Sequence, residues 1–171
     1  MTDVLSIGEL LVEFVADTSN VPLSRSTGFI KAPGGAPANV AVALSRLGLD
    51  SGFLGKVGDD PFGLFLQECL EENNVDISTL YRDTDARTTA VFTAVWDDGR
   101  KDLCFYRNPG ADMMLRPDEI DESAFTDLRC FHFGSITFIY EPSRAAQHKA
   151  IELARWNEVM ISYDPNYRPT L

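Results

Sequence analysis

Two short segments carry the residue types that could hold a small polar molecule. In the first, Gly34-Gly35 is followed by Ala36-Pro37-Ala38-Asn39, so a glycine pair leads straight into the first turn of a helix. Paired glycines let a ligand lie against bare backbone, and the amides of a first helical turn can donate to its oxygens. Asn39 adds a side-chain donor and acceptor in that turn. In the second, Asp164-Pro165-Asn166-Tyr167-Arg168 sets a carboxylate, an amide and a guanidinium within five residues, a donor and acceptor set suited to a polyol or a phosphate. Each segment is open to a plainer reading, a strand-to-helix turn for the glycines and a strand-ending loop for Asp-Pro-Asn.

These segments need elements to place them. Val4–Gly8 reads as a buried strand, with an apolar run continuing to Val15 and an excursion over about residues 16–33. Pro37 suits the first position of a helix, Val40, Ala43, Leu44 and Leu47 form its expected buried stripe, and Gly48 caps it. A strand over Gly52–Val57 precedes a second helix with Asp60 as N-cap, Pro61 at its start, and Phe62, Phe65, Leu66, Cys69 and Leu70 on its apolar face. Thr88–Trp96 and Leu103–Tyr106 flank a turn at Asp97-Asp98-Gly99 and predict a β-hairpin. A strand over Cys130–Gly134, a helix over about Pro142–Trp156 and a strand over Val159–Tyr163 complete the chain. Alternating strands and helices imply a parallel sheet covered by helices, with ligands gathered beyond the strands' C-terminal ends. Glu13, Gly34-Gly35, Ser135 and Asp164 to Arg168 fall at such ends. His132, between two phenylalanines, reads as a core histidine.

Composition narrows the function. The 171 residues are 44% hydrophobic and 24% charged, an ordinary globular balance. A net charge of −11 argues against nucleic acid or an anionic membrane as partner. The opening Met1-Thr2-Asp3 lacks the features of a signal peptide and no stretch approaches a membrane span, so a cytoplasmic location is expected. Cys69, Cys104 and Cys130 are read as reduced thiols, and His132 and His148 share no metal-ligand spacing with them, so no metal site is expected. Neither a Walker A segment nor a GxGxxG fingerprint occurs.

The glycine pair with Asn39, Ala41 and the closing Arg46-Leu47-Gly48 resembles the first motif of the PfkB or ribokinase-like family of carbohydrate kinases. The resemblance implies an α/β fold, a ribokinase-like parallel sheet flanked by helices with a small β-sheet lid, whose strands come from about 13–33 and 86–112. It assigns sugar contacts to Gly34, Gly35 and Asn39. Gly8 to Phe14 is similar to the family's opening strand, where Glu13 stands in place of the usual sugar-binding aspartate. Gly58-Asp59-Asp60-Pro61-Phe62-Gly63 is similar to a turn-and-cap segment of structural character. Tyr106-Arg107-Asn108-Pro109-Gly110-Ala111-Asp112 resembles a segment typical of fructokinases, which implies that Tyr106 and Arg107 close over a sugar; by residue type alone, Arg107 could instead pair with Asp112 and Tyr106 pack in the hairpin. Asp164 to Arg168 resembles a stretch that places Asn166 and Arg168 between sugar and ATP phosphates.

The same resemblance implies ATP and Mg2+ as cofactors and phosphorylation of a primary hydroxyl, fructose first, with 2-keto-3-deoxygluconate or another sugar or nucleoside as alternatives. Residues 1–171 correspond to the N-terminal half of such a kinase. The segment with the general-base aspartate and its anion hole, and the nucleotide-binding half, have no counterpart in this sequence, so no catalytic residue is expected here and the chain alone is expected to be inactive. A sugar-binding or assembly module without catalysis is the reading from another class. Val91, Val95 and Phe105 suggest an apolar lid face that could pair two copies in a homodimer.

Overall fold

The computed structural model describes residues 2–166. Five parallel strands form the main sheet: β1 (Val4–Ile7), β4 (Ser51–Gly58), β5 (Leu80–Asp83), β8 (Cys130–Phe133) and β9 (Met160–Tyr163), in the order β5-β4-β1-β8-β9. Four more build a second sheet: β2 (Leu11–Ala16), β3 (Phe29–Gly34), β6 (Ala90–Val95) and β7 (Lys101–Tyr106), in the order β3-β2-β6-β7. Its outer pairs are antiparallel and the central β2–β6 pair is parallel. Two of its strands come from the segment after β1 and two from the 90–106 hairpin, so the small sheet is joined to the large one by four chain crossings.

Helices cover both faces of the main sheet. On one face α1 (Ala36–Arg46) and α2 (Pro61–Glu72) enclose Phe53, Val57, Leu66 and Leu70. On the other, α3 (Ser143–Trp156) lays Ala146, Ala150 and Ala154 over Leu5, Ile7, Phe131 and Phe133. All eight residues of β4 are buried, as a parallel strand covered on both faces requires. β9 forms an edge, and its four residues are exposed. His132 is buried on β8, where its Nδ1 lies 3.0 Å from Ser162 Oγ, and burial lowers its pKa against the opposing pull of Asp164.

The buried stripe of α1 differs from the expected one. Pro37, Ala38 and Ala41 face the sheet, whereas Ala43 is exposed, Val40 and Leu44 are only half-buried and Leu47 is 80% exposed. The helix approaches the sheet too closely for large side chains. A Cβ built on Gly8 would stand 2.5 Å from Pro37 Cγ, and Ser51 Oγ donates to the Ala41 carbonyl at 2.8 Å. The helix also begins at Ala36, one residue earlier than the proline rule suggests. Strand β5 was not apparent from its Leu-Tyr-Arg-Asp sequence; pairing with β4 from Gly55↔Leu80 to Gly58↔Asp83 defines it.

The N-terminus of α2 ties the two sheets together. Asp60 accepts from Phe62 N–H and Gly63 N–H, as an N-cap should, and also from the backbone N–H and hydroxyl of Thr88, just before β6. On its outer side Phe62 meets Phe14 of β2 edge-on at 5.4 Å, and Lys31 Nζ of β3 sits 3.6 Å above Phe65. The wide apolar face of α2 therefore serves both sheets, which is why Phe62 remains 39% exposed. Burial raises the Asp60 pKa, but the bonds from Thr88, Gly63 and Phe62 outweigh it and hold the carboxyl below its ordinary value. A depressed carboxyl stabilises the fold above the unfolded value of about 3.9 and loses that contribution as pH falls through the folded value. Asp60→Ala is expected to cost about 2 kcal/mol in urea denaturation at neutral pH, and to give a shallower loss of stability on acidification than the parent shows.

Candidate functional site

A cavity of about 280 Å³ lies between the C-terminal ends of the main strands and the inner face of the small sheet. It is at the small end of ligand pockets, which run from about 300 to 1,000 Å³. Strand alternation decides what the small sheet contributes. Leu11 and Glu13 of β2, Val91 of β6, and Lys101, Leu103 and Phe105 of β7 face the cavity. The neighbouring residues Phe14, Phe92 and Tyr106 form an aromatic cluster on the opposite face.

The floor is built where the chain leaves the main sheet. Gly34, Gly35, Ala36 and Asn39 line one side, Glu9 lies beneath them, and Gly134, Ser135, Ile136 and Asn166 follow β8 and β9. Gly35 has φ +116°, and a Cβ there would stand 2.2 Å from the Glu9 carbonyl oxygen, so only glycine fits. The Glu9 side chain, 7% exposed, accepts the Ala36 N–H on Oε1 at 2.8 Å. Burial raises its pKa, more than the Ala36 bond lowers it. This contact alters the first turn of α1. Ala36 N–H is taken by Glu9, Pro37 has none, and Asn39 N–H bonds the Gly35 carbonyl at 2.9 Å. The helix end therefore meets a ligand with a carboxylate already on it, a poor seat for a phosphate and a compatible one for a neutral hydroxyl.

Glu13 projects into the cavity with Oε1 held by the Thr93 hydroxyl at 2.6 Å, so its longer arm is braced by the adjacent strand. Asn166 also lines the cavity, its backbone N–H tied to Asp164 Oδ1 at 2.9 Å. Glu13, Gly34, Gly35, Asn39 and Asn166 thus converge. Tyr106 and Arg107 do not join them. Tyr106 is 67% exposed on the far face of the lid sheet and packs on Phe92. Arg107 does not line the cavity but is engaged in a buried pair, with Nε and Nη2 each 2.7 Å from Asp112 Oδ2. The Thr89 hydroxyl donates to the other oxygen of Asp112, so one buried carboxylate clamps the entry to β6 and the exit from β7. Arg168 lies outside the described residues.

Glu9, Lys101 and Leu103 are among the cavity residues that the sequence does not single out. Glu9 follows Gly8 at the end of β1, a place the strand-end rule points to. Lys101 and Leu103 became cavity residues through the register of β7 against β6, which the sequence alone leaves open. Of Val91, Val95 and Phe105, which suggest an apolar lid face for pairing two copies, Val91 and Phe105 line the cavity.

A parallel sheet with helices on both faces, a four-stranded lid and an acceptor-rich cavity at the strand ends define a small-molecule-binding α/β domain of the lidded kind. The chain belongs to the pfkB family of carbohydrate kinases, whose sequence profile matches residues 1–171. It is 50% identical over 168 residues to a probable fructokinase of Arabidopsis thaliana, covering 98% of this chain and 51% of that one. Its fold is similar to the crystal structure of fructokinase from Xylella fastidiosa, with TM-score 0.89 and 32% identity over 99% of this chain and 52% of that one. A sugar kinase from Pyrococcus horikoshii, solved in complex with ATP, superposes with TM-score 0.90 and 34% identity over 96% of this chain and 53% of that one. The chain spans about half the length of the curated relatives it matches.

Gly35→Ala tests the floor directly. The added methyl must displace the Glu9 carbonyl, so a fall in stability of about 2–4 kcal/mol in chemical denaturation is expected.

Proposed function

We propose that this chain forms the sugar-binding part of an ATP-dependent kinase acting on the primary hydroxyl of a neutral sugar, with fructose as the preferred substrate. The observation that carries the proposal is the lining of the cavity: carboxylates of Glu9 and Glu13 and amides of Asn39 and Asn166 beneath an apolar roof of Val91, Leu103 and Phe105. Carboxylates accept from hydroxyls without requiring charge on the ligand, and the roof keeps water from the reacting oxygen. The fructokinase names carried by its relatives and the ATP complex of the Pyrococcus protein support the same reading.

In this reading the sugar hydroxyls are held by Glu13, Asn39 and the backbone of Gly34-Gly35. Asn166 lines the side where phosphate arrives, and the family resemblance gives Arg168, outside the described residues, a role toward the same phosphate. This chain binds, orients and excludes water; the proton of the attacking hydroxyl goes to a base outside it. The described residues supply no cluster of three or more His, Cys, Asp or Glu side chains that could hold a metal ion.

A sugar acid such as 2-keto-3-deoxygluconate is the second reading, favoured by Lys101 at the cavity. Two carboxylates facing a substrate carboxylate oppose it. The three free cysteines suit a reducing compartment such as the cytoplasm, and no described helix is long and apolar enough to cross a membrane.

ADP release in the presence of ATP, magnesium and a panel of fructose, 2-keto-3-deoxygluconate, ribose and adenosine is the direct test, run on this chain and on the full gene product. Fructose turnover by the full product alone is expected. Turnover by the 171-residue chain would place the base within it, and sugar-dependent stabilisation without turnover by either would favour a non-catalytic binding module. We also propose that two copies pair through the lid, whose edge strands β3 and β7 are unpaired on one side among the described residues and whose β3 exposes Ile30. Sedimentation is expected to give a dimer that Ile30→Lys converts to monomer.

A further inference from the structure

Glu9 is 93% buried by its 7% exposure, yet it lines the cavity. A carboxylate carries two oxygens and about four acceptor positions. Oε1 is committed to Ala36 N–H at 2.8 Å. The backbone N–H of Glu9 itself also bonds the carboxylate, and among the described residues no other residue donates a hydrogen bond to Oε2. Acceptor positions therefore remain on the carboxylate after these bonds, and a ligand hydroxyl can fill one of them.

We propose that Glu9 is a sugar-contacting residue of this site: its Oε2 accepts one substrate hydroxyl, while the Ala36 bond fixes where that oxygen points. The inference rests on the sugar-binding reading above and adds a specificity determinant to it. The geometry supports it from three sides. The Glu9 carbonyl is packed against Gly35, so the residue cannot withdraw without opening the glycine turn. Its side chain is anchored on α1, the helix that presents Asn39 to the same cavity. Glu13 enters from the lid, with its own Oε1 held by Thr93, so the two carboxylates reach the cavity from different sheets. A sugar bridging them joins the floor to the lid through its hydroxyls. The chemistry of the pair also bears on which ligands enter: a neutral polyol supplies hydroxyl donors to both side chains, whereas a carboxylate or phosphate at this end brings no donor.

Glu9→Gln separates contact from scaffold. The amide oxygen of glutamine can still accept Ala36 N–H, but an NH2 group then stands where Oε2 accepted, and it cannot take the hydroxyl proton. Calorimetric binding to the full gene product is measured with fructose and with a set of analogues each lacking one hydroxyl. The parent is expected to lose affinity about 10- to 100-fold for one analogue. The glutamine variant is expected to bind fructose more weakly by a similar factor and no longer to distinguish that analogue from fructose. Fructose affinity equal to the parent's, or a loss uniform over the panel, overturns the role of Glu9 and leaves the sugar-binding reading standing. A parent that binds no sugar overturns both. Should thermal denaturation show that Glu9→Gln is unfolded, Glu9→Asp carries the same test: it keeps the charge but withdraws it by one methylene, and the same selective loss is expected.

Discussion

The structure depends on how closely the chain passes itself where β1 turns into β2 beneath the start of α1. The Glu9 carbonyl occupies the space a side chain on Gly35 would need, and the Glu9 carboxylate holds the Ala36 amide. This contact welds the exit from the first core strand to the entry of the first helix. A Cβ at Gly8 would press on Pro37, so the same helix is seated on the strand end without intervening side chains. The cavity floor is therefore backbone and short side chains, which lets a ligand with many hydroxyls approach main-chain atoms closely.

The lid is fixed to that floor by polar rather than apolar ties. Asp112 holds Arg107 and Thr89, Asp60 holds Thr88, and Val12 N–H bonds the Thr89 carbonyl at 3.0 Å. Buried ion pairs contribute little net stability, because desolvation offsets much of the attraction, but removing one partner leaves an uncompensated charge. Their value at these crossings is directional: two strands entering and leaving the lid meet at one carboxylate. Lys56 does the same on the main sheet, joining Asp83 at 3.5 Å and Glu119 at 2.6 Å and so docking the segment after the lid onto β4. The sheets are thus held in register at their junction, and α2 adds an apolar contact to the lid where Phe62 meets Phe14.

Much of this plan could be read from the chain. Asp60-Pro61 announced a capped helix, the Asp97-Asp98-Gly99 turn announced a hairpin, and Gly34-Gly35 before Asn39 announced the floor of the cavity. What could not be read were contacts settled by register and by competition between partners. Tyr106 lies one residue beyond Phe105, and a period of two sends one into the cavity and the other to the far face. Arg107 had two acceptable partners on paper, a sugar or Asp112; in the folded chain the buried carboxylate five residues on holds it. The stripe of α1 misled because size was taken as the sign of burial, whereas a helix packed on glycine and serine buries its smallest residues. Glu9 escaped notice since a glutamate between two apolar runs looks like a solvated turn until the helix amide that it holds is seen.

The distribution of charge completes the reading. The chain carries a net charge of −11, and its cavity follows that bias, with two carboxylates against one lysine. A phosphate-binding cradle uses the first-turn amides of a helix as its anion seat, yet here a glutamate already sits on the most obvious one. The helix dipole is thereby spent on fixing a protein carboxylate, which in turn becomes an acceptor for hydroxyls. A site arranged in this way favours a neutral ligand that brings hydroxyl donors over one that brings only negative charge.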